Sequence, residues 1–168
     1  MGRKDLSRLV DDKGIYAAIA VDQRGALRKL LGDQASDHNL SLFKKLVSEV
    51  LTPYGSSFLV DPEFGLEAAQ ANAATSGLIL SYEQTGYDKT RPGRLPRLIE
   101  NASVKRLKDA GADAVKFLLY YDVDESDDIN TKKQAVIERI GAECQAENIP
   151  FLLEILTYDD TCLLYTSP

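Results

Sequence analysis

The sequence predicts an α/β fold, a (β/α)8 barrel truncated after about its fifth strand. Five short apolar runs alternate with segments of helical periodicity, which is the order of a parallel sheet with helical crossovers. The runs are continuously apolar rather than alternating, as in strands covered on both faces. A five-stranded doubly wound sheet has the same order, but it should end with a helix, and only ten residues follow the last run. The ending therefore favours a barrel, which needs about 250 residues when complete.

The first half of the chain holds three predicted strands. Residues 15–22 form the first strand, which ends in an acid, and a Gln-Arg-Gly turn then opens a short helix over 26–31. A second helix, over 43–51, has apolar residues at helical spacing and is ended by the Thr-Pro and Gly that follow. The second strand, 57–61, and the third, 78–83, flank an Ala-rich helical segment, and each ends in an acid.

The second half holds the other two strands. The longest loop, 84–97, contains two glycines, two prolines and four basic residues. A helix over 101–110 ends at a capping glycine, and the fourth strand follows at 114–121. An acidic loop leads to a helix over 131–147 and then to the fifth strand, 150–158. No linker divides residues 1–160, so we expect them to be part of a single barrel domain.

Composition and charge exclude several classes of protein. A net charge of −6 argues against a nucleic-acid binder. No apolar run approaches the roughly 20 residues of a membrane span, and the N-terminus lacks the apolar core of a secretory signal. Two distant cysteines and one histidine predict neither a disulfide framework nor a multi-histidine metal centre. We therefore expect a cytoplasmic protein without nucleic-acid or membrane partners.

Acidic residues cluster where parallel-sheet enzymes place their sites. Asp22, Asp61 and Glu83 each close a strand, and the carboxyl ends of parallel strands share one rim. Capping of the next helix explains each of these acids equally well when it is taken alone. Lys116 and Glu154 lie inside the fourth and fifth strands, where two opposite charges in a packed interior should meet.

Lys116 has two interpretations from its strand alone. A buried lysine that loses its proton near neutral pH is a candidate amine nucleophile, whereas a salt-bridged core lysine is structural. A neighbouring carboxylate such as Glu154 would suit proton transfer around an amine or a carbon acid.

Two basic segments are candidate anion sites. Gln23 and Arg24 lie at the start of a helix, where backbone N–H groups and the guanidinium favour a phosphate. Arg94 lies in the basic loop after the third strand, although a solvated loop explains such residues as well. The sequence has no phosphate-binding glycine loop, no nucleophile elbow and no dinucleotide fingerprint.

Six colinear runs carry a family resemblance: AVDQRGAL, LTPYGSSFLVDPEFGL, SYEQTGYD, SVKRLKDAGADAVKFLLYYDVD, IERIGAEC and IPFLLEILTYD. They resemble the tagatose 1,6-diphosphate aldolase family, whose members are class I, Schiff-base enzymes with a (β/α)8 barrel. The resemblance implies reversible cleavage of D-tagatose 1,6-bisphosphate to dihydroxyacetone phosphate and glyceraldehyde 3-phosphate, in lactose and galactose breakdown. It implies a phosphorylated ketose as substrate and no cofactor, because the iminium is the electron sink.

The resemblance also assigns residues. The family's proton-shuttling acid on the fifth strand matches Glu154, and its fourth-strand lysine matches Lys116, a supporting cation. Its first-strand Asp-Gln-Arg matches Asp22, Gln23 and Arg24, expected near the substrate hydroxyls and a phosphate. The family's Schiff-base lysine lies on the sixth strand, which this chain does not reach. We therefore expect the chain alone to be inactive.

The end of the chain departs from the family pattern. Residues 161–168 resemble read-through into unrelated sequence, so we expect them to be non-native. Two other functions remain open: a related ketose-phosphate aldolase of the sulfofructose phosphate type, and a non-catalytic sugar-phosphate-binding domain with an open sheet. Whether the full-length protein forms a homo-oligomer also stays open.

Overall fold

The computed structural model describes residues 5–84, 86–87 and 90–159. The predicted non-native tail, 161–168, and Lys89 of the basic loop lie outside the described residues. Five strands alternate with helices: β1 (Ala18–Ala20), β2 (Ser57–Val60), β3 (Gly77–Ser81), β4 (Ala114–Tyr121) and β5 (Phe151–Thr157). The helices are α1 (Gly25–Leu31), α2 (Asp37–Leu51), α3 (Leu66–Gln70), α4 (Val104–Asp109) and α5 (Asp127–Ala146). Short 3₁₀ turns occupy Ser7–Leu9, Gly32–Gln34 and Thr52–Tyr54.

The five strands form one parallel sheet in the order β1-β2-β3-β4-β5. A doubly wound sheet reverses its strand order, so this sequential order excludes that alternative. In a flat sheet β1 and β4 would lie about 14 Å apart, three steps of roughly 4.8 Å. Yet the Nζ atom of Lys116 on β4 lies 2.8 Å from the Oδ2 atom of Asp22, just after β1. The sheet therefore curls, as the predicted half of a barrel does.

The outer face of the sheet packs against the helices. Its strand side chains include Phe58, Val60, Leu80, Val115 and Phe117, all fully buried. They meet the helical residues Ala68, Val104, Ile140 and Cys144. On α5, Val136 and Ile137 pack against the same core.

The concave face is closed at the amino ends of its strands by the 3₁₀ turn that precedes β1. Leu9 is buried there against Ile79 and Ala114. A Cβ atom at Gly77 would lie 2.0 Å from the carbonyl oxygen of Arg8, so only glycine lets the turn approach β3 this closely. The half-barrel is thus filled at the amino ends of its strands, whereas the rim at their carboxyl ends is open.

The two edges of the sheet are β1 and β5. β1 is shorter than predicted, and Ile15 and Tyr16 lie half-exposed before it. On β5, Leu153 and Ile155 point outward and are also exposed. Among the described helices, none is long and apolar enough to cross a membrane.

Helix α2 faces the core differently from its apolar pattern. Phe43, Leu46 and Val50 are substantially exposed, whereas Lys44 and Ser48 are fully buried. Both buried polar groups are hydrogen-bonded, Lys44 to the loop after β1 and Ser48 to the carbonyl of Ala68. Lys44 and Ser48 can therefore be buried, because each finds a hydrogen-bond partner inside the protein.

Candidate active site

A cavity of about 210 Å³ opens at the carboxyl ends of β1, β3, β4 and β5. This is the rim on which barrel and doubly wound enzymes build their sites. Its lining is mostly polar or charged, and consists of Asp22, Gln23, Arg24, Ala26, Glu83, Gln84, Gly86, Lys116, Leu118, Tyr120 and Glu154. Six of the eight residues predicted for the site thus reach one cavity; Asp61 and Arg94 do not.

Lys116 is the centre of this cavity. Its Nζ atom lies 2.8 Å from Asp22 Oδ2, 2.8 Å from Glu83 Oε1 and 3.1 Å from Glu154 Oε2, so each ammonium hydrogen has a carboxylate to face. Burial by itself lowers the pKa of Lys116, but the attraction of Glu83 and Asp22 outweighs it and raises the pKa above its ordinary value. The side chain therefore carries its proton at neutral pH, which favours a supporting cation over an amine nucleophile.

Glu83 is held on two sides. One carboxylate oxygen accepts from Lys116 and the other from the backbone N–H of Leu118, 3.1 Å away. β3 and β4 pair Ser81 with Lys116 in register. Glu83 lies two residues beyond Ser81, so the side chains of Glu83 and Lys116 both lie on the concave face of the sheet. Burial raises the pKa of Glu83, and the ammonium of Lys116 opposes that rise. Glu83 is therefore a fixed carboxylate that orients Lys116.

Glu154 and Asp22 complete the ring around Lys116. Glu154 is paired in register with Leu118, which puts it on the concave face of β5, and its side chain is 48% exposed. Asp22 is 13% exposed and also lines the cavity. Three carboxylates around one ammonium leave an excess of two negative charges when all are ionised. The rim is therefore electrostatically suited to a further cation.

Arg24 ties three loops together rather than pointing freely into solvent. One terminal nitrogen pairs with Glu63 after β2, and the other donates to the carbonyl of Glu83, 2.8 Å away. The side chain is 5% exposed, and its buried Nε–H has no hydrogen-bond partner among the described residues. Since Arg24 lines the cavity, Nε–H is one donor that it could offer a ligand. Gln23 lines the cavity beside it.

Asp61 does not reach the cavity. It is fully buried, and its carboxylate pairs with Lys44 and accepts from the N–H of Phe64, 3.0 Å away. Because both oxygens are engaged behind the loop, we do not retain Asp61 as a proposed substrate contact. Sequence reasoning missed Lys44, which lies between Leu40 and Val47 on the face of α2 that packs inward.

Arg94 lies in a cage of tyrosines outside the cavity. Its guanidinium lies 4.1 Å from the ring centroid of Tyr158, 5.1 Å from that of Tyr87 and 5.8 Å from that of Tyr120. These are cation–π distances. Tyr120 also lines the cavity, so the cage fixes the basic loop against the site wall. A direct role for Arg94 in phosphate binding stays a prediction.

The chain is similar to proteins of known activity along nearly its whole length. Tagatose 1,6-diphosphate aldolase 1 of Enterococcus faecalis is 60% identical over 159 residues, which are 94% of this chain and 49% of that protein. Tagatose 1,6-diphosphate aldolase 2 of Streptococcus mutans is 56% identical over 160 residues, 93% of this chain and 49% of that protein. The chain thus spans about half the length of the curated relatives it matches.

Solved structures share the fold at low sequence identity. A Corynebacterium glutamicum protein superposes with a TM-score of 0.63 and 16% identity, covering 90% of this chain and 52% of that one. A Schiff base-forming fructose-1,6-bisphosphate aldolase superposes with a TM-score of 0.60 and 15% identity, covering 97% of this chain and 60% of that one. Residues 16–163 match the DeoC/LacD family of aldolases, and the chain belongs to that family.

Proposed function

We propose that this chain is the N-terminal half of an aldolase that cleaves D-tagatose 1,6-bisphosphate into dihydroxyacetone phosphate and glyceraldehyde 3-phosphate through a lysine Schiff base. The observation that carries the proposal is the ring of Asp22, Glu83 and Glu154 around the ammonium of Lys116 at the cavity rim. The 60% identity to a tagatose 1,6-diphosphate aldolase supports the choice of sugar. It favours tagatose bisphosphate over the sulfofructose phosphate alternative.

In this mechanism a neutral amine attacks the ketone carbon of the substrate, and loss of water leaves an iminium. A base then removes the proton of the C4 hydroxyl, the C3–C4 bond breaks, and its electron pair moves into the iminium. Glyceraldehyde 3-phosphate leaves, and the remaining enamine takes a proton and is hydrolysed to dihydroxyacetone phosphate.

The residues of the cavity suit these steps. Glu154 is half-exposed at the rim, so it is free to carry protons between substrate and enzyme. Asp22 would accept from a substrate hydroxyl, and the buried Nε–H of Arg24 would donate to a phosphate. The excess negative charge of the rim would stabilise the iminium as it forms.

Lys116 is a poor candidate for the attacking amine because its carboxylates hold the proton. By resemblance to the family, the Schiff-base lysine is expected on the sixth strand, which would follow β5. Two apolar grooves lie where the other half of the barrel would pack. One, of about 380 Å³, runs along β1 and α2, and the other, of about 420 Å³, runs along β5 and α5.

Reductive trapping tests the proposal. Borohydride should trap dihydroxyacetone phosphate covalently on the full-length protein, on a lysine outside residues 1–160, and should leave the 168-residue chain unlabelled. Labelling of Lys116 in the isolated chain would contradict the assignment. Turnover of tagatose 1,6-bisphosphate and sulfofructose phosphate by the full-length enzyme separates the two aldolase activities. Phosphosugar binding that raises the melting temperature without turnover would instead support a binding domain.

A further inference from the structure

The buried ammonium of Lys44 donates hydrogen bonds to backbone carbonyl groups on both sides of Asp22. The Nζ atom of Lys44 donates to the carbonyl oxygen of Val21 at 2.8 Å and to that of Gln23 at 2.9 Å. Its third partner is the carboxylate of Asp61. The three hydrogens of the ammonium are thus matched by three acceptors, and the side chain is fully buried. Lys44 therefore cannot contact a substrate, but it contacts the loop that carries a proposed catalytic carboxylate.

Few other described hydrogen bonds hold the backbone of the loop that carries Asp22. β1 is a three-residue edge strand, and the N–H of Val21 makes its last described ladder bond, to the carbonyl of Leu59 at 2.9 Å. Beyond that bond the chain turns toward α1 with Asp22 reaching across the half-barrel to Lys116. A loop that leaves a short edge strand is free to shift unless its backbone groups are bound. Lys44 binds two of them.

Asp61 extends the same support to the next loop. Its second oxygen accepts from the N–H of Phe64, which fixes the turn after β2. That turn carries Glu63, the partner of Arg24. The Lys44–Asp61 pair therefore contacts both the loop that carries Asp22 and the turn whose Glu63 binds Arg24. Burial lowers the pKa of Lys44, and the charge of Asp61 opposes that fall.

We propose that Lys44 and Asp61 are positioning residues that hold Asp22 at its contact with Lys116, through the two carbonyl groups that flank Asp22. The contribution of this contact to catalysis rests on the proposed aldolase function, whereas the contact itself does not. A buried ion pair that served stability alone could be replaced by apolar residues of similar volume without loss. A positioning pair could not, since apolar side chains cannot bind the carbonyls of Val21 and Gln23.

The experiment compares Lys44→Met, Asp61→Asn and the double variant Lys44→Met/Asp61→Leu. The single methionine variant leaves Asp61 buried without a counter-charge, so it is expected to lose much stability, and the double variant removes that defect. The first readout is the Asp22 carboxyl carbon signal of the 168-residue chain, labelled with ¹³C-aspartate and assigned with Asp22→Asn. The second is kcat/KM for tagatose 1,6-bisphosphate in the full-length protein.

We expect the double variant to regain much of the stability that Lys44→Met loses, while its Asp22 signal stays shifted. Its kcat/KM should remain about 100-fold low, the size expected when a catalytic group moves by about 1 Å. Asp61→Asn retains both carbonyl bonds and should move the Asp22 signal less. Ser48→Ala is the matched control, because Ser48 is buried one turn further along α2 and binds the carbonyl of Ala68 instead. It should lower stability and leave Asp22 and kcat/KM unchanged.

Recovery of both stability and the wild-type Asp22 signal in the double variant would overturn the proposal. A shifted Asp22 signal with unchanged kcat/KM would support the positioning and reject the catalytic part assigned to Asp22. The two hypotheses are therefore separated by the same set of variants.

Discussion

The Nζ atom of Lys116 lies 2.8 Å from the Oε1 atom of Glu83, and both side chains are more than nine-tenths buried. Glu83 lies two residues beyond β3, and Lys116 lies on the adjacent parallel strand, β4, where it is paired in register with Ser81. Asp22 and Glu154 approach the same ammonium from the two edge strands. Lys116 therefore joins four elements of the half-barrel at a single atom, and its charge matters to folding as well as to the site.

Replacing this cation should destabilise the protein in a pH-dependent way. Lys116→Met leaves carboxylates buried without their counter-charge, which costs about 3–5 kcal/mol when one partner of a buried pair is removed. Burial already raises the pKa of Glu83, and loss of Lys116 removes the charge that opposes this rise. A carboxyl whose pKa is higher folded than unfolded costs stability above that pKa, and the cost disappears as the pH falls through it.

The variant should therefore recover part of its lost free energy of unfolding between pH 7 and pH 5. Chemical denaturation at the two pH values measures this. Lys132→Met, which removes an exposed pair with Asp128 on α5, is the control and should change little at either pH. An equal loss of stability for Lys116→Met at both pH values would contradict the role of the buried carboxylates.

The raised pKa of Lys116 predicts that the wild-type chain loses stability at alkaline pH. Its pKa is raised in the folded state above the ordinary value of 10.5, because its carboxylate neighbours outweigh the effect of burial. This contribution is fully present below pH 10.5 and is lost as the pH rises through the folded-state pKa. The free energy of unfolding should fall above that pH in the wild type, and the fall should be smaller in Lys116→Met. Equal slopes in the two proteins would show that Lys116 is not the group responsible.

The strands of the sheet and the meeting of Lys116 with Glu154 could be predicted from the sequence, whereas the contacts of Lys116 with Asp22 and Glu83 and the buried Lys44–Asp61 pair could not. The bounds of β4 were predicted residue for residue, because its apolar run is long and lies between a glycine cap and an acidic loop. Lys116 and Glu154 were recognised as charges in apolar strands. Periodicity could not show which surface of α2 faces inward, since its exposed Phe43 is as apolar as a core residue.

Two predicted site residues lie outside the cavity. Asp61 was predicted from its place at a strand end, and Arg94 from its place in the basic loop. Their partners decide their places: Asp61 turns to Lys44, and Arg94 to the rings of Tyr158 and its neighbours. Those partners are distant in sequence, so only the folded chain reveals the pairing.

Replacing Glu154 should lower the activity without lowering the stability of the fold. It is half-exposed, so Glu154→Gln keeps the shape and leaves Lys116 with two carboxylates. Stability should change by no more than about 0.5 kcal/mol, as for other exposed positions. In the full-length enzyme kcat should fall by about 10²–10⁴-fold, the usual contribution of a general acid or base. Steady-state kinetics and thermal unfolding measure both; a kcat near the wild-type value would remove Glu154 from the mechanism.

Arg24 should not tolerate lysine. Its two terminal nitrogens reach Glu63 and the carbonyl of Glu83 at once, and a lysine ammonium lacks this planar fork. Arg24→Lys should cost about 1.5–3 kcal/mol, the value of a hydrogen bond to a charged group. Hydrogen exchange of the Gln84 amide, which bonds to Arg97, should also accelerate. Arg28→Lys on α1 is the matched control, because its pair with Asp37 is exposed. Similar losses in both variants would argue against a specific clamp.

A substitution on the outer face of β5 should have opposite effects in the chain and in the full-length protein. Ile155 is 54% exposed in an apolar groove beside α5, where the next barrel unit is proposed to pack. In the 168-residue chain, Ile155→Lys should reduce self-association through the open edge, as charged edge residues do. In the full-length protein, Ile155→Lys should lower the free energy of unfolding by about 2–3 kcal/mol or more, since a charge would be buried where an isoleucine packs.

Val123→Lys is the control, because Val123 is at an exposed loop position, and it should change neither self-association nor stability. Sedimentation velocity and denaturation measure the two effects, and unchanged full-length stability in Ile155→Lys would show that this groove stays open in the complete protein.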